Sequence, residues 1–212
     1  MIAILGGTFN PIHNGHLYLA EQLQKKLNFS AIRFMPAAIP ALKDQPNISA
    51  EQRAKMVELA IKQHPHFTLD TRELKREGNS YTIDSLISLR QELGEKTSLC
   101  WLMGADAFAQ LNQWHRWQAL LNYAHLIVVH RPHSNDLNHL NAEVKALLDA
   151  HATTNIQALA QQASGKILVQ EIAALDISST QIREQLNQRE AISQLIPAKV
   201  LNYIHQHHLY EQ

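Results

Sequence analysis

Short apolar runs alternate along the chain with stretches whose apolar residues recur every three or four positions. Ile2–Leu5 is the first run. Leu17, Leu19, Ala20, Leu23 and Leu27 then follow at helical spacing, which predicts a strand handing over to a helix. Ala31–Met35 predicts a second strand, stopped by Pro36, and residues 37–48, with Pro40 and Pro46, predict a loop. Ser49 followed by Gln52 is a capping-box pattern opening a helix through Met56, Leu59 and Ala60. Phe67–Thr71 predicts a short strand, and Thr82–Leu93 a helix that Gly94 terminates. Leu99–Met103, Leu126–Val129 and Lys166–Glu171 predict three further strands. Thr180–Leu186 and Pro197–His208 predict two closing helices, the second with proline in its first turn. Residues 133–164 carry only helix-like patches, at Val144–Leu148 and Ile156–Ala163.

Strands alternating with helices imply βαβ units and a mostly parallel α/β sheet with helices on both faces. In such sheets ligands bind beyond the carboxyl ends of the strands. Those are the loops after Leu5, Met35, Met103 and Val129. No linker and no internal repeat interrupts the pattern. One domain over 1–212 is expected, with a helical C-terminal part from about residue 179.

Composition narrows the partner. Nineteen basic residues balance 19 acidic ones, which argues against a nucleic acid, because its binders carry a basic stripe. A small phosphorylated substrate needs only a few local donors and stays compatible. The single cysteine, Cys100, allows no disulfide framework within the chain and fits a reducing compartment. No signal peptide and no membrane-length apolar run are read, so a cytoplasmic protein is expected, and a homo-oligomer is left open.

The candidate chemistry begins at Gly6-Gly-Thr-Phe-Asn-Pro-Ile-His-Asn-Gly-His-Leu17. Gly6 and Gly7 let backbone approach a ligand or make a turn. Gly15 and His16 fall where the next helix begins, and unpaired N–H groups at a helix start attract anions. His13 and His16 at that start could both face one phosphate. Two other readings stay open: a structural turn, and a metal site, although no adjacent Cys, Asp or Glu completes a ligand set. The stretch is neither a Walker loop nor G-x-G-x-x-G. A second stretch, Asp176-Ile-Ser-Ser-Thr-Gln-Ile-Arg183, sets the hydroxyls of Ser178, Ser179 and Thr180 at another helix start, with Arg183 in its first turn. These are capping residues or a second anion cradle.

GGTFNPIHNGHL resembles the H-x-G-H signature of the nucleotidyltransferase superfamily, and ISSTQIR its second signature. SYTIDSL, MGADAFAQLNQWHRW, HLIVVHRP and LIPAKVLNYIHQHHLY resemble, in order, blocks of bacterial nicotinate mononucleotide adenylyltransferases. That resemblance implies a Rossmann-like, doubly wound fold and a reaction between ATP and nicotinate mononucleotide. The products would be pyrophosphate and nicotinate adenine dinucleotide, for NAD biosynthesis, with Mg2+ accompanying the triphosphate. It implies that His13 and His16 bind the α- and β-phosphates, that Gly6, Gly7, Thr8 and the backbone of Phe9 hold phosphate groups together, and that Lys43 touches phosphate. Ser179 and Arg183 would hold the β- and γ-phosphates, Ile177 and Thr180 would join the ATP-binding set, and Gly104 and Asp106 would sit against the adenosine. Trp114 would stack on the pyridine ring, while Thr82, with backbone N–H groups at Ile83 and His115, would meet the carboxylate. No protein-built metal site is implied. Rivals sharing the signatures are pantetheine-phosphate adenylyltransferase and nicotinamide mononucleotide adenylyltransferase. A rival of another class is a non-catalytic nucleotide sensor.

Overall fold

The computed structural model describes residues 1–42, 45–132, 137–173, 175–188 and 190–210. Six strands, β1 (Ile2–Gly7), β2 (Ala31–Pro36), β3 (Phe67–Leu69), β4 (Leu99–Gly104), β5 (His125–His130) and β6 (Ile167–Glu171), form one sheet in the order β3-β2-β1-β4-β5-β6. Every pairing is parallel. The winding runs outward from β1 in one direction and from β4 in the other. The crevice between β1 and β4 is therefore the topological switch point of a doubly wound, Rossmann-like sheet. β4 and β5 read as continuous apolar runs because both faces are covered.

One core joins β1 and β2 to α1 (Asn14–Leu27), α2 (Ala50–Ile61), α7 (Ser179–Asn187) and α8 (Ala198–Gln206). The other face packs on α3 (Thr82–Leu93), the short α4 (Ala105–Ala109) and α5 (Ala142–His151). A further short helix, α6 (Ile156–Gln161), precedes β6. Among the described residues, no helix is long and apolar enough to cross a membrane.

Most boundaries depart from the sequence expectation by one or a few residues, and three of the departures show their local geometry. β3 stops at Leu69 rather than Thr71, because the carboxylate of Asp70 turns to Arg72 (2.8 Å) and Arg33 (3.3 Å) and the chain coils into a 3-10 turn at Arg72–Lys75. Pro197 is the residue before α8 rather than its first helical residue, since its ψ of 137° is extended. α6 ends at Gln161, and Gln162 is extended. The Ser49 capping box forms as read: Gln52 N donates to Ser49 Oγ (3.2 Å), and Ser49 N to Gln52 Oε1 (3.3 Å).

Candidate active site

Between β1 and α1 the chain makes a tight excursion. Phe9 adopts a left-handed conformation (φ 48°) and the Asn10–Pro11 peptide is cis. Phe9 and Ile12 are buried, which pins the loop to the core. Three side chains hold its carbonyls from behind. The guanidinium of Arg53 donates to Thr8 O (2.6 Å), that of Arg183 to Asn10 O (2.8 Å), and Ser179 Oγ to Pro11 O (2.9 Å). Tyr210 OH donates to Asn10 Oδ1 (2.7 Å), so the end of the chain braces the same loop.

His13 then caps α1. His16 Nδ1 accepts from His13 N (3.3 Å), closing half of a capping box. The His13 ring leans over the first-turn amide of His16 too loosely for a hydrogen bond, and its Nδ1 has no partner. The two imidazoles lie 3.8 Å apart between centroids, and Phe9 meets His16 edge-on at 5.1 Å. His13 is only 5 % exposed, and burial lowers its pKa to about 4, so its imidazole is neutral at neutral pH. An orphaned buried nitrogen costs about 1–3 kcal/mol, which a ligand oxygen would offset.

The low pKa has a measurable consequence. In the unfolded chain His13 takes up its proton near 6.5; in the folded protein it does so only near 4. The unfolded state therefore binds the proton first, and stability falls as pH drops between those values, by about 3 kcal/mol in all. His13→Asn keeps a favourable cap residue and removes this titration. Chemical denaturation at pH 7.5 and pH 4.5 is expected to show the wild type losing about 2–3 kcal/mol more than the variant. Parallel losses would refute the assignment.

A cavity of about 630 Å3 opens beside the two histidines, across the carboxyl ends of β1, β4 and β5. It is lined by His13, Gly15, His16, Gly104, Asp106 and Ile177, and further by Leu19, Ala105, Val129, His130, Arg131 and Leu175. A side chain at Gly104 would fall on the Asp106 carboxylate, so the glycine lets that exposed acid fold back over the end of β4. A Cβ at Gly15 would lie 2.9 Å from His13 Nδ1, so the absence of a side chain there admits the imidazole.

The other expected residues do not line this cavity; each has its own local setting. Gly6 accommodates Trp101, whose ring lies 2.6 Å from where a Cβ would be, and Gly7 O accepts from Ala37 N (2.9 Å). Thr8, Phe9, Ser179 and Arg183 build the loop before His13, and Thr180 Oγ1 accepts from Arg183 (3.3 Å). Thr82 opens α3, and the side chain of Ile83 is wholly buried, leaving only its backbone to offer. Trp114 is half-buried against the second core, and His115 is exposed with its ring 4.5 Å from that of Tyr81. That ring contact brings the segment of Trp114 up to the start of α3. Lys43 lies outside the described residues. Sequence reasoning missed His130 and Arg131 as cavity residues. Their signal was position, at the carboxyl end of β5, together with paired basic side chains. Arg131 also meets Asp176 at 3.2 Å.

With this geometry in view, known proteins agree. The cytidylyltransferase-like family description matches residues 4–185. The chain is 45 % identical over 210 residues to the probable nicotinate-nucleotide adenylyltransferase of Aeromonas salmonicida, covering 99 % of this chain and 97 % of the relative. It is 43 % identical over 209 residues to that of Cellvibrio japonicus, covering 99 % and 98 %. Among solved structures, the Plasmodium falciparum nicotinic acid mononucleotide adenylyltransferase complexed with NaAD superposes with a TM-score of 0.71 over 99 % of this chain and 96 % of that one, at 18 % identity, a likeness of fold. The chain thus belongs to the cytidylyltransferase-like family and, within it, to the nicotinate-nucleotide adenylyltransferases.

Proposed function

We propose that the protein transfers the adenylyl group of ATP to nicotinate mononucleotide, giving nicotinate adenine dinucleotide and pyrophosphate. The single observation that carries the chemistry is the buried, partnerless nitrogen of His13 beside His16, at a helix start on the rim of the switch-point cavity. Family membership supplies the substrates.

The mononucleotide's phosphate oxygen attacks the α-phosphorus of ATP. The new O–P bond forms as the bond to the bridging oxygen breaks, and pyrophosphate leaves with that electron pair. The attacking group is already an anion and needs no base, so the protein's task is positioning and charge relief. His13 and His16, at the start of α1, donate to the α- and β-phosphates. Gly104 and Asp106 face the adenosine, and Ile177 with Leu19 and Leu175 offers the base an apolar wall. Arg183 uses two hydrogen bonds on Asn10 and Thr180, and a guanidinium has five N–H groups. It can therefore reach the leaving phosphates, with Ser179 and Thr180 beside it, without releasing the loop. Lys43 joins the phosphate set. Trp114, Thr82 and the amides of Ile83 and His115 serve the pyridine and its carboxylate. Among the described residues no three His, Cys, Asp or Glu side chains converge as metal ligands. Mg2+ would arrive on the triphosphate and relieve part of its charge.

The test is pyrophosphate release from ATP with nicotinate mononucleotide, nicotinamide mononucleotide or pantetheine phosphate as acceptor. Turnover is expected to be fastest with the nicotinate compound. Preference for another acceptor would reassign the substrate, and silence with all three would leave a nucleotide sensor.

A further inference from the structure

Arg53, in the first turn of α2, is the bulkiest of the fully buried side chains, at 1 % exposure. Buried arginines ordinarily pair with carboxylates, because an unpaired charge is costly to desolvate. Among the described residues Arg53 takes part in no ion pair. Its guanidinium instead donates to three backbone carbonyls: Thr8 O at 2.6 Å, Ala38 O at 2.9 Å and, more weakly, Ile48 O at 3.4 Å.

Those carbonyls belong to two loops leaving adjacent strands at the carboxyl edge of the sheet. Thr8 is in the β1–α1 loop that leads to His13; Ala38 and Ile48 are in the loop between β2 and α2. Ala37 N on Gly7 O (2.9 Å) draws the same loops together. In a trans peptide the C=O and the next N–H point in opposite directions. Holding Thr8 O toward Arg53 therefore turns the Phe9 N–H away from it. Phe9 sits in the left-handed region, costing roughly 1–2 kcal/mol for a residue with a side chain, so the loop needs such a hold. The guanidinium of Arg183 takes the carbonyl two residues on, at Asn10. Two cations thus grip alternate carbonyls of the loop, and the cation at Arg53 touches no carboxylate within 4 Å, the exposed Glu51 acting on it only through space.

We propose that Arg53 is a positioning residue for adenylyl transfer: it fixes the loop that presents His13, and its unpaired charge favours anionic nucleotide at the switch-point cavity. This rests on the function proposed above. Arg53→Met and Arg53→Lys separate the two roles. Lysine keeps the charge, yet one ammonium cannot span three carbonyls. The measurements are the melting temperature, its rise on adding ATP, and kcat and KM well below each variant's melting temperature. Arg53→Met is expected to lose most of the ATP-induced rise, raise KM for ATP and lower kcat about tenfold, less than the roughly 10²-fold that a 1 Å misplacement costs. Arg53→Lys is expected to recover the ATP-induced rise but not kcat. Lower melting temperatures with unchanged kcat, KM and ATP response in both variants would overturn the proposal, leaving Arg53 a packing residue. If Arg53→Met does not fold, a wild-type kcat in Arg53→Lys overturns it alone. If the wild type releases no pyrophosphate, the functional reading fails instead; an undiminished ATP response in Arg53→Met then still overturns the proposal for Arg53.

Discussion

His16→Ala is expected to lower the turnover number about 10²–10³-fold, the usual loss for one preorganised donor at a developing charge, or roughly 3–4 kcal/mol of transition-state stabilisation. The reason lies in how His16 is held. One ring nitrogen, Nδ1, faces the His13 amide in the capping box, the ring lies 3.8 Å from that of His13 at a tilt of 35°, and Phe9 meets it edge-on. These contacts restrain the ring, so charge it relieves is relieved with little reorganisation. The substitution also removes an N-terminal cap contact, costing about 1 kcal/mol of stability. That cost lowers the melting temperature and leaves the folded fraction intact. Steady-state kinetics should therefore show kcat falling far more than KM for ATP rises, the pattern of an interaction made chiefly in the transition state. A kcat within a few-fold of wild type would remove His16 from the chemistry.

Much of this site was legible in the residue order because its devices are local. Ser49 and Gln52 satisfy each other across one helical turn, so the pattern alone specifies the cap. The apolar runs of β1, β4 and β5 are buried on both faces, and their hydropathy announces them. His13 and His16 share a helix start whose geometry fixes their separation. What was not legible is non-local. Arg53 drew no reading at all, since its three acceptors lie up to 45 positions away and are backbone, which leaves no mark in side-chain identity. Arg183 and Ser179 read as phosphate ligands; the structure also ties them to Asn10 and Pro11, across 173 and 168 positions. The 3-10 turns at Leu111–Gln113 and Trp117–Asn122 escaped because so short a coil has no amphipathic period to detect. His130 and Arg131 escaped because a strand's end is set by its neighbours' register, here Val129 on Gln170 and His130 on Glu171, rather than by its own sequence.

Gly15→Ala should separate stability from activity more cleanly than any histidine substitution. Residue 15 is the second residue of α1, and its backbone is not in the left-handed region, so alanine is a better helix former there by about 1 kcal/mol. The added methyl, however, would lie 2.9 Å from His13 Nδ1, closer than real Cβ atoms come, and 3.0 Å from Cε1, tighter than most. Something must give. The backbone of Gly15 is fixed by the first turn of α1, and Asn14 N is anchored to Leu195 O at 2.9 Å. The other wall beside the new methyl is Ile177, at 3.6 Å, already in contact distance. The imidazole of His13 is therefore the group displaced, pushed into the cavity it lines or rotated away from that of His16. A shift approaching 1 Å in a phosphate-binding group costs about 10²-fold in rate. Gly15→Ala is thus expected to melt at or above the wild-type temperature while its kcat falls about 10²-fold. Its ATP-induced stabilisation should also shrink, because the displaced ring occupies ligand space. Wild-type kcat in a fully folded Gly15→Ala protein would mean that His13's ring position does not matter to adenylyl transfer, and the two imidazoles would lose their claim to act as one site.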